Sequence, residues 1–475
     1  MKCLAAQAAD RFGDSPAVIS STGLISFREF ENRVGQSAVR LTEMGVNRGD
    51  RVGILLPNGI DQIILIISLI RIGAVACPIS TKLPPSAVED CLKEVGATLL
   101  VSDEKGLALT GRQIVGASEI MTAAWSKPSD QVVSLYQPAV VIFTSGSTGG
   151  PKAVMLTLGN LYYNALGSNE NISFGPGDRW LLSLPLFHVG GLGVLFRALV
   201  GGGAVVVANR NQDISDAVLQ HEITHLSLVS TQLRRLLSEI DNRQLVQRRL
   251  KAVLIGGSGI PSELIRQSVE RKLPVYTSYG LSEMASQVTT STASATIDEL
   301  HTSGRLLPYR QLRIAKSGEI EVRGDTRFAG YADGNNLIAP FDRDGWFATG
   351  DIGSLDASGL LTVFGRRDTM FISGGENIYP EEIERALLRI DSILDAVVVP
   401  IPHSEYGHRP CAFVRTAQPL ELTIDRIRDE LRHWLPSFKL PDRIFPWPEG
   451  VASAGFKPDR TSLRLLAQKL TASSH

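Results

Sequence analysis

The chain has 475 residues, 43% of them hydrophobic, and its 48 basic side chains nearly balance 49 acidic ones for a formal net charge of -1. That length accommodates roughly two to four domains with sizeable cores. The near-zero charge excludes bulk attraction to nucleic acid or to an anionic membrane, so any anionic ligand must be held by local features.

At the start, Met1-Lys2-Cys3-Leu4-Ala5-Ala6 meets Gln7 and Asp10 too soon for the apolar core of a signal peptide, so no secretory leader is expected. The strongest apolar run, Ile63 to Ile70, is cut by Arg71. It falls far short of the roughly 20 residues of a membrane span and reads as a buried helix. Cys3, Cys77, Cys91 and Cys411 form no CxxC pair. In a chain this long, reduced thiols in a cytoplasmic protein are the better reading than a disulfide framework.

Val140-Val141-Ile142-Phe143 reads as a strand running into a glycine-rich turn, and Gly193 to Val200 as a helix. Thr224 to Val229 turns strand-like, and Arg243 to Lys251 suggests a solvated helix end. Ala252-Val253-Leu254-Ile255 is another strand, followed by the turn Gly256-Gly257-Ser258. Such alternation through the first three quarters of the chain predicts a layered α/β architecture with ligand loops at strand ends.

Near residue 365 the texture changes. Leu361 to Phe364 is strand-like and Gly365-Arg366-Arg367-Asp368 follows it. Pro380-Glu381-Glu382 then opens a helix with proline and acids in its first turn. Ile393 to Val399 reads as a strand, and Ile424, Ile427, Leu431 and Leu435 mark one face of a second helix. The expected organisation is a large α/β N-terminal part, residues 1–367, and a small, mobile α+β C-terminal domain, residues 368–475, with a hinge near Asp368. No repeat or low-complexity tract interrupts it.

The clearest chemical signal is Thr144-Ser145-Gly146-Ser147-Thr148-Gly149-Gly150-Pro151-Lys152. Its glycines let backbone N–H groups close on phosphate oxygens, its hydroxyls add donors, and Lys152 adds a charge. A Walker A loop needs glycine before the lysine and Ser or Thr after it, where this chain has Pro151 and Ala153. A plain Gly/Ser linker fits poorly between a buried strand and a lysine.

This loop resembles the phosphate loop of the adenylate-forming superfamily of acyl-CoA synthetases, adenylation domains and firefly luciferase, and further family motifs follow in order. Leu184-Pro185-Leu186-Phe187-His188 resembles the segment that sets an aromatic or histidine beside the acyl pocket, which makes His188 a candidate for catalysis and for substrate contact. Tyr279-Gly280-Leu281-Ser282-Glu283 resembles the motif whose tyrosine stacks on adenine and whose glutamate helps hold magnesium. Thr349-Gly350-Asp351 resembles the motif whose aspartate takes the ribose hydroxyls. Gly365-Arg366-Arg367-Asp368 resembles the hinge motif, with Arg366 near the nucleotide and Asp368 as pivot. Ser373-Gly374-Gly375-Glu376-Asn377 resembles the border of the pantetheine tunnel. The resemblance spans most of the chain. It implies ATP, Mg2+ and coenzyme A as ligands, with Gly256, Gly257 and Ser258 also on the nucleotide side and Thr148 beside Glu283 at the metal.

The implied chemistry suits these residue types. A carboxylate is a poor electrophile until one of its oxygens attacks the α-phosphorus of ATP, forming a mixed anhydride and expelling pyrophosphate. That step needs positioning and charge neutralisation, which a metal ion and a lysine can supply, and no protein nucleophile. The chain accordingly has no GxSxG elbow.

The family's C-terminal lysine signature reads Pro-x-x-x-x-Gly-Lys, whereas this chain has Val451-Ala452-Ser453-Ala454-Gly455-Phe456-Lys457, with no proline at the start and the glycine displaced by one. Lys457 is the choice for bridging the carboxylate and the α-phosphate, and Lys439 is its rival. Two look-alikes are set aside. His221-Glu222-Ile223-Thr224-His225 spells HExxH, but that motif works only on one continuous helix, and Thr224 to Val229 is strand-like. Asp391-Ser392-Ile393 lacks the glycine that precedes a carrier-protein attachment serine.

The helix-like Gly193 to Val200 carries one charge, Arg197. Burying a lone guanidinium is costly, so an anionic neighbour is expected. It is either a protein acid or a second carboxylate on the substrate held by a bidentate pair; snorkelling to solvent is the third outcome. Here the resemblance narrows to the o-succinylbenzoate–CoA ligase branch, carried by Trp180 to Arg197, by Ser227 to Leu233 with Ser230 and Thr231 on the substrate side, and by Phe371 to Glu376. In that branch an arginine holds one carboxylate of the dicarboxylate while the other is activated, in menaquinone or phylloquinone biosynthesis. A CoA ligase for a monocarboxylic acid and a non-catalytic nucleotide- or acyl-binding sensor stay open as alternatives. An adenylation domain feeding a carrier is disfavoured, since no carrier domain is seen before residue 475. A homo-oligomer is compatible with the chain.

Overall fold

The computed structural model describes residues 1–104, 107, 109, 111–121, 132–145, 151–209, 212–239, 249–257, 260–416, 424–448 and 460–472. Two large sheets, both parallel through their middles, dominate the N-terminal domain. The first runs in the order Arg305–Leu306, Ser286–Thr290, Val275–Leu281, Ala252–Ile255, His225–Leu228, Arg179–Leu181, Ala204–Val207, Pro16–Ser20, Gly23–Ser26. From Val275–Leu281 to Pro16–Ser20 every neighbouring pair is parallel. The second runs Asn336–Ile338, Gly330–Asp333, Pro151–Thr157, Pro138–Ser145, Val75–Pro78, Arg51–Leu55, Leu99–Ser102, Gln113–Val115.

The helix Ile60–Ile72 is buried on every side from Gln62 to Arg71. That explains a run apolar all round instead of on one stripe, because the helix belongs to a layer covered on both sides. Arg71, which interrupts the run, is buried and ion-paired with Glu31. Among the described residues no helix is long and apolar enough to cross a membrane.

The α/β alternation ends earlier than the sequence suggests. Arg310–Ile314, Glu319–Gly324, Phe347–Leu355 and Leu361–Arg366 form an antiparallel sheet. Short β-branched runs look alike whether their neighbours pair in parallel or antiparallel, so this meander was hidden.

The small α+β C-terminal domain is built on Glu376–Ile378, Phe371–Ser373, Gly407–Thr416 and Ile393–His403, with Arg443–Pro446 added in parallel to Gly407–Thr416. Gly374 and Gly375 turn its first hairpin with φ of +59° and +88°, a pair of left-handed residues that only glycine adopts easily. Pro380–Leu387 has proline at its start and Glu381 and Glu382 in its first turn, and it buries Ile383, Ala386 and Leu387. The second helix, Ile424–Leu431, is shorter than its apolar spacing implied. Leu435 lies beyond it yet is buried with Ile427 and Leu431. Arg249 to Lys251 is not helical, and Lys251 pairs with Asp178 at 2.6 Å; residues 243–248 lie outside the described ones.

All four cysteines are free and buried. Burial pushes the thiols of Cys77 and Cys411 up to about 12 and that of Cys91 to about 11. None is poised as a thiolate nucleophile.

Candidate active site

Parallel pairing brings the carboxyl ends of Arg179–Leu181, His225–Leu228, Ala252–Ile255 and Val275–Leu281 to one edge of the first sheet. In open α/β sheets that edge forms the ligand crevice. Ser183, Ser230 and Thr231, Gly256 and Gly257, and Ser282 follow those ends, while Tyr279 and Gly280 lie in the last residues of Val275–Leu281. Ser258 lies outside the described residues.

On one side stands a cluster suited to a nucleotide. The Tyr279 hydroxyl donates to Oδ2 of Asp351 at 2.6 Å. Burial, and then the Asp351 carboxylate, push that phenol well above its ordinary value, so it stays a donor. Arg366 forks onto Asp368 through Nε at 3.1 Å and Nη2 at 3.3 Å, while its Nη1 reaches the Thr349 carbonyl at 3.2 Å and Asp351 at 3.4 Å. Burial opposes its charge, but Asp368 and Asp351 outweigh burial and push the pKa up. Glu319, a buried acid the sequence reading missed, accepts from the Gly350 amide at 2.9 Å and pairs with Arg367 at 2.6 Å. It thereby braces the strand Phe347–Leu355 at Gly350, next to Asp351.

The glycine-rich loop bridges two antiparallel strands, Pro138–Ser145 and Pro151–Thr157, with Thr144 opposite Lys152 and Ser145 opposite Pro151. It leads into a strand and not into a helix, which separates it structurally from a Walker A loop. Gly146, Ser147, Thr148, Gly149 and Gly150 lie outside the described residues. Lys152 holds its ammonium 5.4 Å from the centre of the Tyr331 ring, and the Tyr331 hydroxyl donates to the Glu283 carboxylate at 2.8 Å. Tyr331 was also missed. Glu283 offers a hard oxygen donor beside the loop, and Mg2+ is commonly bound through one or two carboxylates plus substrate phosphates. The residues present therefore fit that ion. Among the described residues no group of three or more His, Cys, Asp or Glu would hold a metal unaided.

His188, expected beside the acyl group, immediately precedes the helix Val189–Gly201, with its ring 4.6 Å from that of Phe187. Burial lowers the His188 pKa, so the imidazole is neutral near pH 7. Inside the same helix Arg197 is 1% exposed. Its Nε donates to Ser168 Oγ at 2.7 Å and its Nη2 to Gln287 Oε1 at 2.6 Å, and its guanidinium lies 4.8 Å from the centre of the Trp180 ring. Nη1 is buried with no hydrogen-bond partner. Of the three outcomes left open by the sequence, burial rules out snorkelling, and no protein acid is found: among the described residues Arg197 forms no ion pair. Burial pulls its pKa down to about 10, which leaves it charged at neutral pH.

A helical side chain runs back toward the N-terminus of its helix. A Cβ added to Gly193 would sit 3.2 Å from both Nη1 and Nη2 of Arg197. Glycine one turn earlier therefore leaves room for the guanidinium, which a Cβ there would crowd.

The HExxH look-alike dissolves as expected. His221 ends the helix Ile214–Gln220, Glu222 has φ of +49°, and His225 begins a strand. In the C-terminal domain, the Gly374 amide donates to the Tyr406 carbonyl at 3.0 Å. Lys439 is engaged locally, its ammonium 2.8 and 2.7 Å from the two oxygens of Glu382. Lys457 lies outside the described residues. Ser168 and Gln287 escaped the sequence reading because a lone serine in a helix and a lone glutamine in a strand carry no motif; only packing brings them to Arg197.

Residues 5–332 match the family described as AMP-binding enzyme, and residues 382–451 match the AMP-binding enzyme C-terminal domain. A 2-succinylbenzoate–CoA ligase from Geobacillus sp. is 31% identical over 468 residues, covering 95% of this chain and 94% of that protein. One from Bacillus cereus is 32% identical over 469 residues, covering 96% of each. Among solved structures, o-succinylbenzoate CoA synthetase from Bacillus subtilis in complex with its acyl-adenylate intermediate superposes with a TM-score of 0.88 at 29% identity, covering 98% of both chains.

Proposed function

The chain belongs to the AMP-binding enzyme family, and from that premise we propose that it activates 2-succinylbenzoate with MgATP and transfers the acyl group to coenzyme A, a ligase step of menaquinone biosynthesis. The observation that carries the choice of acid is Arg197, a buried and uncompensated guanidinium on the acyl side. A dicarboxylate supplies the missing anion, and a monocarboxylate does not.

In the first step a carboxylate oxygen of the acid attacks the α-phosphorus of ATP, and the bond to the bridging oxygen breaks as pyrophosphate leaves. The loop Thr144 to Lys152 cradles the phosphates, Tyr279 stacks on adenine, and Asp351 takes the ribose hydroxyls. Glu283 and Thr148 would hold Mg2+, which supplies neutralisation of the phosphate charge. Lys457 bridges the carboxylate and the α-phosphate. The ion pair of Lys439 with Glu382 supports this assignment, because it occupies the rival lysine.

In the second step the thiol sulfur of coenzyme A attacks the acyl carbon, and AMP leaves. The four buried, high-pKa thiols of the chain are poor acceptors, which favours an external thiol. The domain beginning at residue 368 turns about Asp368, withdrawing Lys457 and bringing Gly374-Gly375 to the tunnel where coenzyme A enters. The free, buried cysteines also suit a cytoplasmic setting.

Pyrophosphate release measured over a panel of acids tests the reading. Release should be strongest with 2-succinylbenzoate. Release with a monocarboxylic acid and none with the dicarboxylate would overturn the choice of substrate.

A further inference from the structure

The neighbours of Arg197 are as informative as the arginine itself. Gln287 lies in the strand Ser286–Thr290 and is 3% exposed. Its orientation follows from the hydrogen bonds behind it. The Thr290 hydroxyl donates to the Thr289 carbonyl at 2.7 Å, so toward Gln287 it can only accept. It accepts from Nε2 of Gln287 at 2.7 Å. The amide oxygen therefore points at Nη2 of Arg197, 2.6 Å away.

The backbone carbonyl of Gln287 accepts from a second buried guanidinium, that of Arg310, and from the Asn164 amide at 3.2 Å. Glu170 is near enough to favour the charge on Arg310, yet the hydrogen bond it accepts comes from Tyr309. Among the described residues neither guanidinium forms an ion pair, and each has one buried nitrogen without a hydrogen-bond partner, Nη1 of Arg197 and Nη2 of Arg310. Position 287 is thus where a carboxylate would most cheaply compensate this charge, being isosteric with the amide. The chain holds an amide there.

We propose that Gln287, locked by Thr290, is a positioning and specificity-determining residue: a neutral acceptor that fixes the Arg197 fork while leaving its charge uncompensated for the second carboxylate of the acid. This rests on the reading that Arg197 receives that carboxylate. Ser168 completes the mount from the Nε side. A protein carboxylate at 287 would form the bidentate pair that the substrate otherwise forms and would compete with it.

The test separates charge from packing, because the two predict opposite signs. Gln287→Glu gives the buried guanidinium an internal partner, so thermal stability should hold or rise. The KM for 2-succinylbenzoate should climb about tenfold or more while the KM for ATP stays constant. A residue that merely fills space would show no change in the acid KM with so close an isostere, and that result overturns the proposal. Thr290→Val provides a second reading independent of any new charge. It frees the amide to turn, and the acid KM should rise a few-fold with the ATP KM unmoved; an unmoved acid KM counts against the proposal. Arg197→Ala distinguishes the levels. If it leaves the acid KM unchanged, the reading of the acyl site fails as a whole. If it raises that KM while Gln287→Glu does not, only the role of Gln287 falls.

Discussion

Two guanidiniums in this chain are settled in opposite ways. Arg460, at the start of the helix Arg460–Ala472, is surrounded by acids: Nη1 lies 2.7 Å and Nη2 3.0 Å from the Glu384 carboxylate, and Nη2 lies 3.2 Å from Glu381. Burial opposes its charge, but these carboxylates outweigh burial and raise its pKa. Arg197 is more deeply buried, has only neutral acceptors, and keeps one nitrogen without a partner. A compensated guanidinium ties helix to sheet and is finished when the chain folds. An uncompensated one costs stability in the free protein, and that cost is intelligible when a ligand brings the missing charge.

The contrast breaks most sharply under substitution. Arg197→Ala should raise the KM for the dicarboxylate by the equivalent of about 2–5 kcal/mol while barely lowering thermal stability. Steady-state pyrophosphate release and a melting curve check the two halves, and an unchanged KM would put Arg197 in the same class as Arg460.

A buried histidine on the Trp180 ring predicts a pH effect. His225 stacks 4.9 Å from the Trp180 ring that lies against Arg197, and burial lowers its pKa to about 4. Asp178 and the Ser173 carbonyl favour its protonation, while Lys251 and Arg197 oppose it. A folded-state pKa below the unfolded value near 6.5 means full stabilisation above pH 6.5, lost as the pH falls toward 4. The loss should be on the order of 3 kcal/mol, read as a falling melting temperature that His225→Gln flattens. An equally steep slope in that variant would contradict the assignment.

Arg460→Ala should cost about 2 kcal/mol of stability and leave the acid KM alone. The effect stays below that of a fully buried pair because the Arg460 side chain is 29% exposed. Smallest of the four, Tyr279→Phe removes the 2.6 Å bond to Asp351 and should raise the KM for ATP about five-fold, roughly 1 kcal/mol, without moving the acid KM.

Legibility from sequence followed the range of the interactions. The strand before Thr144 and the proline-initiated helix at Pro380 depend on neighbours in the chain, and they could be read directly. The antiparallel sheet from Arg310 to Arg366 could not, because strand direction is a tertiary property. Within the site, the nucleotide-side motifs were legible as contiguous strings. The supporting residues were not: Glu319 reaches Gly350 across 31 positions and Gln287 reaches Arg197 across 90. The sequence showed that Arg197 needed an anion, and only packing revealed that the described chain does not provide one.

The central claim, ATP-driven transfer of a dicarboxylic acyl group to a thiol, is tested most directly by mass spectrometry of a reaction holding the enzyme, MgATP, coenzyme A and 2-succinylbenzoate. The account predicts a peak for 2-succinylbenzoyl-CoA with AMP formed in equal amount. AMP and an acyl-CoA from a monocarboxylic acid, with no 2-succinylbenzoyl-CoA, would contradict it.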